Sequence, residues 1–201
     1  MKLYGYGPTR AARCLWLLRE LELPFEYVVV DLSQGQHRQP EFLAINPYGR
    51  VPVFEEGSLR IRESVAICLY LADRHADKGL IPAPGSPNRA VHDQHLLFTV
   101  AELDAPLWRQ RLHRMMYPDA RRIPAEQHNA RLDFQAAAQL IQGELGAGPF
   151  LLGEPFCVAD IVLAHTLFWA GWTGLLDGFD GLQAYLERCV ARPACPSFLR
   201  G

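Results

Sequence analysis

Two short segments hold the residues whose types and spacing best suit ligand binding. The first places Val51-Pro52 inside an apolar, strand-like run, and the second places Glu63-Ser64 at the start of an amphipathic pattern. A proline cannot donate to a sheet ladder, so this run either lies at a sheet edge or turn or contains a cis bond. A carboxylate and a hydroxyl that open a helix lie beside its positive end. These features predict exposed backbone hydrogen-bonding groups next to a helix N-terminus, a corner that suits a peptide-like anionic ligand.

The elements that must position these residues alternate between strand and helix in the N-terminal part of the chain. Strands are predicted at 2–6, 25–30, 51–55 and 59–62, with helices at 10–21 and 64–75 and a short helical patch at 41–44. Thr9 precedes the first helix as an N-cap residue. The order β-α-β followed by β-β-α specifies a small mixed α/β sheet with helices packed on it.

Residues 77–88 have the composition of a linker, because glycine and proline recur there. Beyond them the chain is all-α: helices are predicted at 89–103, 126–145, 158–172 and 182–192, followed by a short terminal piece. Pro106 should kink or end the first of these helices. We therefore predict two domains, 1–76 and 89–201, joined by the linker 77–88.

Composition and charge exclude several classes of function. A net charge of -2 over 201 residues gives no reason to expect nucleic acid or an acidic membrane as a partner. No apolar run approaches the ~20 residues of a membrane span, and the N-terminus lacks a signal-peptide core. The five cysteines are widely spread and lack a Cys-x-x-Cys pair, which favours a reducing, cytoplasmic setting. His92 and His95 lie three apart on a predicted helix without a further ligand at suitable spacing, so no metal site is expected.

Four segments, in order along essentially the whole chain, resemble the cytosolic glutathione S-transferase superfamily. Residues 9–26 look like the first helix of the family and its exit, 46–53 like its cis-proline loop, 63–71 like its γ-glutamyl site, and 156–161 like the buried capping box of a central helix. The chain looks most like the bacterial, theta- and beta-like members. The resemblance implies a thioredoxin-like N-terminal domain followed by an all-helical domain, usually in a homodimer.

This resemblance implies that glutathione binds to the first domain. A cis bond between Val51 and Pro52 would turn the Val51 backbone toward the cysteinyl backbone of glutathione. Glu63 would pair with the γ-glutamyl ammonium group, and Ser64 would hold the γ-glutamyl carboxylate. Ordinary helix capping by Glu63 and Ser64 is compatible with this interpretation.

Three further residues are predicted to reach the glycine carboxylate of glutathione. They are His37, Arg38 and Arg50, whose positive charge would suit that group, although a solvated polar loop is an equally good interpretation. The side chain of Arg50 has the weaker claim, because it can point to solvent.

Thr9 is predicted to donate a hydrogen bond to the glutathione sulfur and so to favour the thiolate, with a plain N-cap role as the alternative. The family commonly has serine, cysteine or tyrosine in this role, and the extra methyl group of threonine restricts the side chain. Tyr6 and Arg10 are therefore alternatives, and Arg10 would act by charge alone. Cys14, one helical turn further on, is expected to be a packing residue.

A pocket for the electrophile is also predicted. The aromatic and polar residues predicted to line that pocket are Tyr6, Trp108, Arg111, Tyr117 and Trp169.

In the capping box of the central helix, Cys157 replaces the usual Ser or Thr, and a thiol is a poor acceptor. We therefore expect Asp160 to bond backbone N–H groups near Cys157 while the reciprocal half of the box is missing.

The predicted activity is conjugation of the glutathione thiolate to a small hydrophobic electrophile, with glutathione as co-substrate and no metal. Two other interpretations remain open. One is a glutathione-dependent disulfide reductase or isomerase on the same scaffold, although no Ser-Ser-Cys motif lies near Thr9 to favour the isomerase. The other is a non-catalytic protein that keeps the fold and binds glutathione or a partner.

Overall fold

The structure, a computed structural model, describes residues 1–200. It divides into two compact units: Met1–Ile81 together with residues 191–200, and Pro82–Val190. The first is a mixed sheet with helices and the second is all-helical, which confirms the predicted fold class. The C-terminal segment 191–200 clusters with the first unit, whereas its position in the sequence placed it with the helices.

Four short strands form the sheet of the first unit. They are β1 (Lys2–Gly5), β2 (Glu26–Val29), β3 (Val53–Glu56) and β4 (Leu59–Arg62), in the spatial order β2-β1-β3-β4. β2 runs parallel to β1, whereas the pairs β1–β3 and β3–β4 are antiparallel. The helices of this unit are α1 (Ala11–Glu20), α2 (Pro40–Ile45) and α3 (Ser64–Arg74). β3 begins after Pro52, because a proline has no N–H for the ladder.

Alternation along the strands decides which helix covers which face of the sheet. Tyr4 pairs with Val53, so their side chains share one face, and Phe54 points to the other. On the first face, Tyr4 and Val53 pack with Phe42 of α2, whose ring centroid lies 6.3 Å from that of Tyr4. On the opposite face, Phe54 contacts Tyr70 of α3 with 6.2 Å between ring centroids, and α1 packs beside α3. The sheet therefore has a helix layer on each side.

The second unit contains five α-helices in the part of the chain that is described. They are α4 (Pro87–Phe98), α5 (Ala105–Arg111), α6 (Pro124–Glu144), α7 (Val158–Trp172) and α8 (Asp180–Val190). π-Helical stretches at Thr99–Asp104 and Leu112–Met116 flank α5. Pro106 lies in the first turn of α5. It cannot donate a helical hydrogen bond, so the interruption predicted at this proline is observed as the π-helical stretch before α5. None of the helices within residues 1–200 is long and apolar enough to cross a membrane.

Asp160 organises the start of α7, the most deeply buried helix of this unit. Its carboxylate accepts hydrogen bonds from the N–H groups of Leu151 and Cys157, both at 2.8 Å, and from the hydroxyl of Tyr185 at 2.6 Å. The Cys157 thiol also donates to it at 2.9 Å. The prediction that half of the capping box would be missing is wrong, since contacts in both directions are present. A thiol can donate as well as accept, and here it helps to satisfy the buried carboxylate.

We expect Asp160→Ala to lower the free energy of unfolding by roughly 3 kcal/mol or more, because it leaves one buried N–H, one half-buried N–H and a buried hydroxyl without this acceptor. Asp133→Ala is the matched control, since it removes a carboxylate that is 56% exposed and pairs with Arg109 on the surface. Its loss should stay below about 1 kcal/mol. Urea unfolding measures both, and equal losses for the two variants would contradict the prediction.

His92 is a fully buried histidine in the second unit. Its Nδ1 lies 2.8 Å from Oδ1 of Asp93, and within residues 1–200 its enclosed Nε2 has no hydrogen-bond partner. Burial lowers the pKa of His92, and the charge of Arg89 acts in the same direction, while Asp93 and Asp160 oppose this shift. The imidazole is therefore neutral at neutral pH.

Stability should fall as the pH decreases below about 6.5, the pKa of an unfolded histidine, because the unfolded chain then binds a proton at His92 that the folded protein does not. The stabilisation linked to His92 is complete above that pH, and it is lost as the pH falls toward the lower pKa that His92 has in the folded protein. One such proton gives a slope of at most about 1.4 kcal/mol per pH unit. Urea unfolding between neutral and mildly acidic pH should show a smaller slope for His92→Gln than for wild type. Identical slopes would rule out His92 as the source.

Candidate functional site

The strand register brings the predicted glutathione-binding residues to one end of the sheet. Val53, the first residue of β3, pairs with Tyr4 near the end of β1 and with Arg62 at the end of β4. The turn after β1, the proline loop before β3 and the segment after β4 therefore meet at this end. β2 is parallel to β1 and also ends there, and the chain leaves it toward His37 and Arg38.

The Val51–Pro52 peptide bond is cis, as predicted. Pro52 is buried and Val51 is half-buried. Within the described chain, neither the N–H nor the C=O of Val51 has a hydrogen-bond partner. A free backbone donor and acceptor just before a strand can bind an extended peptide by strand addition.

Asn46 holds the proline loop in place, a role that the sequence did not reveal. It is 1% exposed, and its Nδ2 donates to the carbonyl of Arg50 at 2.7 Å. Its Oδ1 accepts from the N–H of Tyr48 at 3.1 Å and from the guanidinium of Arg62 at 3.4 Å. One buried amide thus connects the loop before β3 to the end of β4, beside Glu63. The Asn-Pro dipeptide that signals a turn is the only hint of this in the sequence.

Glu63 occupies a backbone conformation that is rare for a residue with a side chain, with φ at 67° and ψ at 114°. Its side chain is exposed, and no side-chain hydrogen bond caps α3, so the capping interpretation is not observed. Such a conformation costs about 1–3 kcal/mol and persists where the surrounding structure enforces it, often at ligand sites.

Ser64, the next residue, is buried, and its hydroxyl oxygen accepts a hydrogen bond at 3.3 Å from Nη1 of Arg13. Arg13 belongs to α1 and is 1% exposed. Because the hydroxyl accepts from a guanidinium, its own proton stays able to donate to an anion. A buried positive charge next to the N-terminus of α3 also favours a bound carboxylate. Arg13 was missed because helical periodicity alone does not identify a buried arginine.

Thr9 lies in the turn that precedes α1. Its Oγ1 donates to the carbonyl of Tyr6 at 2.5 Å and accepts from the N–H of Ala11 at 3.3 Å. The N-cap residue of α1 is Arg10, whose half-buried side chain makes no cap hydrogen bond. The prediction that Thr9 is the N-cap residue is therefore wrong by one position, and its hydroxyl proton is directed to a backbone carbonyl.

Other groups near this turn have different partners. The Tyr6 hydroxyl donates to Asp31. The pKa of the Asp31 carboxyl is lowered chiefly by the hydrogen bond from Ser33, and the hydrogen bond from Tyr6 adds to this effect.

Cys14 is a buried thiol. Burial raises the pKa of its thiol well above the ordinary value, and its interaction with Cys68 acts in the same direction. Cys14 is thus a protonated, buried thiol, which agrees with a packing role.

The three residues predicted for the glycine carboxylate differ in charge. Burial lowers the pKa of His37, and the neighbouring charge of Arg38 lowers it further, so His37 is neutral at neutral pH. Arg38 and Arg50 are exposed, and the guanidinium of Arg50 lies 4.4 Å from the ring centroid of Tyr48. Gly49, with φ at 61°, brings these loops together, because a Cβ atom there would lie 2.9 Å from the carbonyl oxygen of His37. The expected positive charge therefore comes from the two arginines.

Four of the residues predicted for the electrophile pocket lie in the second unit. The half-buried rings of Trp108 and Trp169 meet edge to face with centroids 6.5 Å apart, which joins α5 to α7. The guanidinium of Arg121 lies 3.9 Å from the ring centroid of Tyr117, and Arg111 is exposed. The geometry therefore brings the two tryptophans together. Within residues 1–200, no group of three or more His, Cys, Asp or Glu side chains is arranged to hold a metal ion.

Comparison with known proteins agrees with this architecture. Residues 1–73 match the glutathione S-transferase N-terminal domain, and residues 108–188 match the C-terminal domain. Glutathione S-transferase PARB of Nicotiana tabacum is 47% identical over 196 residues, with 92% of this chain and 88% of the relative covered. Two solved structures align with this chain over 100% of its length and over 98% of their own length. They are a ternary complex of BphK, a bacterial glutathione transferase (30% identity, TM-score 0.87), and a sphingomonad glutathione S-transferase complexed with glutathione (29%, 0.85).

The chain therefore belongs to the glutathione S-transferase family. The two matched domains fall in the two compact units of the structure. The assignment to theta- or beta-like members stays a prediction.

Replacing Glu63 by glycine should raise the free energy of unfolding by about 1 kcal/mol relative to Glu63→Ala, because only glycine tolerates the positive φ without strain. Both variants remove the same carboxylate, so their difference isolates the backbone effect. Urea unfolding midpoints measure it. If glycine is no more stable than alanine at this position, the strain assigned to Glu63 is absent.

Proposed function

We propose that the protein is a glutathione transferase, which conjugates the glutathione thiolate to a small hydrophobic electrophile. The observation that carries this proposal is the meeting, at one end of the sheet, of the unpaired Val51 backbone with Glu63 and Ser64 at the start of α3. Glutathione presents a peptide backbone that fits the first feature and an ammonium with a carboxylate that fit the second. The sphingomonad relative complexed with glutathione supports the choice of ligand.

The γ-glutamyl end would bind at the start of α3. Glu63 has an exposed carboxylate that can pair with the ammonium group. Ser64 can donate its hydroxyl proton to the carboxylate, and Arg13 behind it contributes positive charge. The unfavourable backbone conformation of Glu63 supports a binding role, since such conformations concentrate at ligand sites.

The glycine carboxylate would meet the loops that carry Arg38 and Arg50. The two arginines would supply the positive charge, whereas His37 is neutral and would contribute a hydrogen bond only. The Nδ1 atom of His37 is enclosed and has no hydrogen-bond partner in the described chain, so a ligand could satisfy it. The cysteinyl backbone would then lie against Val51, between the two charged ends.

Catalysis would consist mainly of thiol activation and positioning. A free thiol has a pKa near about 8.5 and is mostly protonated at neutral pH. On binding, the thiol would release its proton to water, and the Thr9 hydroxyl would turn from the Tyr6 carbonyl to donate a hydrogen bond to the thiolate. The N-terminus of α1 and the charge of Arg10 would further favour the thiolate. The sulfur then forms a bond to the electrophilic carbon, and the leaving group departs with the electron pair of the bond that breaks.

The electrophile would bind against aromatic surface, for which Trp108 and Trp169 offer an edge-to-face pair and Tyr117 and Arg111 offer polar groups. Family membership also supports a homodimer in the cytoplasm. Large apolar side chains such as Val91 and Leu97 on α4 are 42% and 63% exposed, and burial in a dimer would suit them.

A glutathione-dependent disulfide reductase is the second candidate. Cys14, Cys68, Cys157, Cys189 and Cys195 are all buried thiols. A reductase on this scaffold would therefore need two glutathione molecules to carry the redox chemistry. An isomerase and a non-catalytic glutathione-binding protein share the same site and differ in the product formed.

Thr9→Val should lower kcat for conjugation of a chloronitroaromatic by about 10- to 100-fold, the equivalent of a hydrogen bond to a charged sulfur. Thr9→Ser keeps the hydroxyl and is the matched control, with activity near wild type. Glutathione affinity, measured by calorimetry, should change little in either variant because Thr9 acts on the sulfur.

The outcomes separate the candidates. If wild type binds no glutathione at millimolar concentration, the proposal is lost. Binding without conjugation, together with reduction of hydroxyethyl disulfide, would favour the reductase. Binding without either activity would favour the non-catalytic protein.

A further inference from the structure

The C-terminal segment, residues 191–200, is anchored to α1 by a bidentate ion pair. Arg192 donates through Nε and Nη2 to the two carboxylate oxygens of Glu20 at 2.7 and 2.8 Å. The indole N–H of Trp16 donates to the same carboxylate at 2.9 Å. The Glu20 side chain is 8% exposed, so this pair is shielded from solvent more than an ordinary surface ion pair.

Arg200 folds this segment into a compact turn. Its Nη2 donates to the carbonyl oxygens of Arg192, Pro193 and Cys195 at 3.0, 2.7 and 3.0 Å. One guanidinium therefore gathers three carbonyl groups between the anchor at Glu20 and the end of the described chain. The short helical turn Ser197–Leu199 lies within this arrangement.

Phe198, in that helical turn, packs directly on the backbone of Gly7. A Cβ atom on Gly7 would lie 3.0 Å from Cε1 and Cζ of the Phe198 ring, so close that the ring would have to move by a few tenths of an ångström. Gly7 belongs to the turn in which the N–H and the hydroxyl of Thr9 both donate to the carbonyl of Tyr6, at 2.9 and 2.5 Å. The ring therefore rests on the turn that carries Thr9.

We propose that residues 191–200 form a strap that fixes the turn before α1, and that Phe198 is a positioning residue for Thr9. The Glu20–Arg192 pair holds the strap at the end of α1, and the Phe198–Gly7 contact restrains the turn at its beginning. Phe198 acts through Gly7 and the Tyr6 carbonyl, which keep the Thr9 hydroxyl where it can reach the sulfur. The inference rests on the proposed function, because that function assigns the sulfur to Thr9.

Phe198→Ala in the full chain tests this inference. We expect kcat for conjugation to fall about tenfold, since small displacements of a catalytic group have effects of this size or larger. The apparent pKa in the pH profile of kcat/KM should rise, while the calorimetric affinity for glutathione stays within about twofold. Leu140→Ala is the matched control, because Leu140 is 48% exposed on α6 and Phe198 is 40% exposed. Its kinetics should equal those of wild type.

A second variant makes the contact itself testable. Gly7→Ala inserts a methyl group against the ring and should reproduce the kinetic loss, whereas Gly7→Ala combined with Phe198→Ala should be no worse than Phe198→Ala alone, because the ring is already gone. Additive losses would overturn the proposed contact. A Phe198→Ala protein with a wild-type kcat and pH profile would overturn the positioning role, as would a loss confined to glutathione affinity.

Hydrogen exchange separates failure of the strap from failure of the proposed function. The N–H of Thr9, bonded to Tyr6 in the turn, should exchange faster in Phe198→Ala than in wild type, while exchange in α6 stays unchanged. Unchanged exchange at Thr9 would overturn the strap even in a protein that conjugates glutathione. If wild type does not conjugate, faster exchange still supports the strap, and the proposed function alone is lost.

Discussion

The pairing of Val53 with Tyr4 on one side and Arg62 on the other is the constraint on which the first unit depends. It decides which loops share an end of the sheet, and it directs Phe54 toward α3 and Tyr4 toward α2. A slip of one residue would reverse every side chain of β3, so Phe54 would leave its contact with α3 and point toward the α2 face, where Val53 now packs. Such a slip would also separate the proline loop from the start of α3, so the same pairing supports both the core and the candidate site.

Buried polar side chains fix the positions of the loops and helices that the strand register brings together. Asn46 joins the proline loop to Arg62, and Arg13 reaches the hydroxyl of Ser64 from the neighbouring helix. Burying such groups is unfavourable unless each hydrogen bond is made, so their geometry is specific where apolar packing would tolerate variation. Asp160 has this role in the second unit, where donors from three separate stretches of chain meet at one carboxylate.

Much of the fold could be predicted from the sequence because its signals are local. The strands and the helix over 158–172 follow from alternation and periodicity. Proline chemistry left a sheet edge, a turn or a cis bond open at Pro52, and the family resemblance implied the cis bond that is observed. Long-range contacts left no such signal. The burial of Arg13 depends on a residue fifty-one positions away, and the return of residues 191–200 to α1 depends on the pair Arg192–Glu20.

In the candidate site, too, local sequence signals could be predicted and long-range contacts could not. The residue types at Val51, Glu63 and Ser64 pointed to a peptide-like ligand, but the charge of His37 depends on burial, which no motif reports. The completed cap at Cys157 depends on a thiol that accepts from the backbone N–H of Asp160, whereas general preference treats a thiol as a poor acceptor. Family resemblance supplied the chemical roles, and the geometry identifies Asn46 and Arg13 as the residues that support them.

The central claim is that the end of the sheet defined by Val53 is a glutathione site. Titration of isotope-labelled protein with reduced glutathione, followed by amide NMR spectra, tests it most directly. We predict that the largest shifts at millimolar glutathione occur at the amides of Val51 and Ser64, with smaller shifts at Thr9. The absence of shifts, or shifts concentrated away from these loops, would contradict the claim.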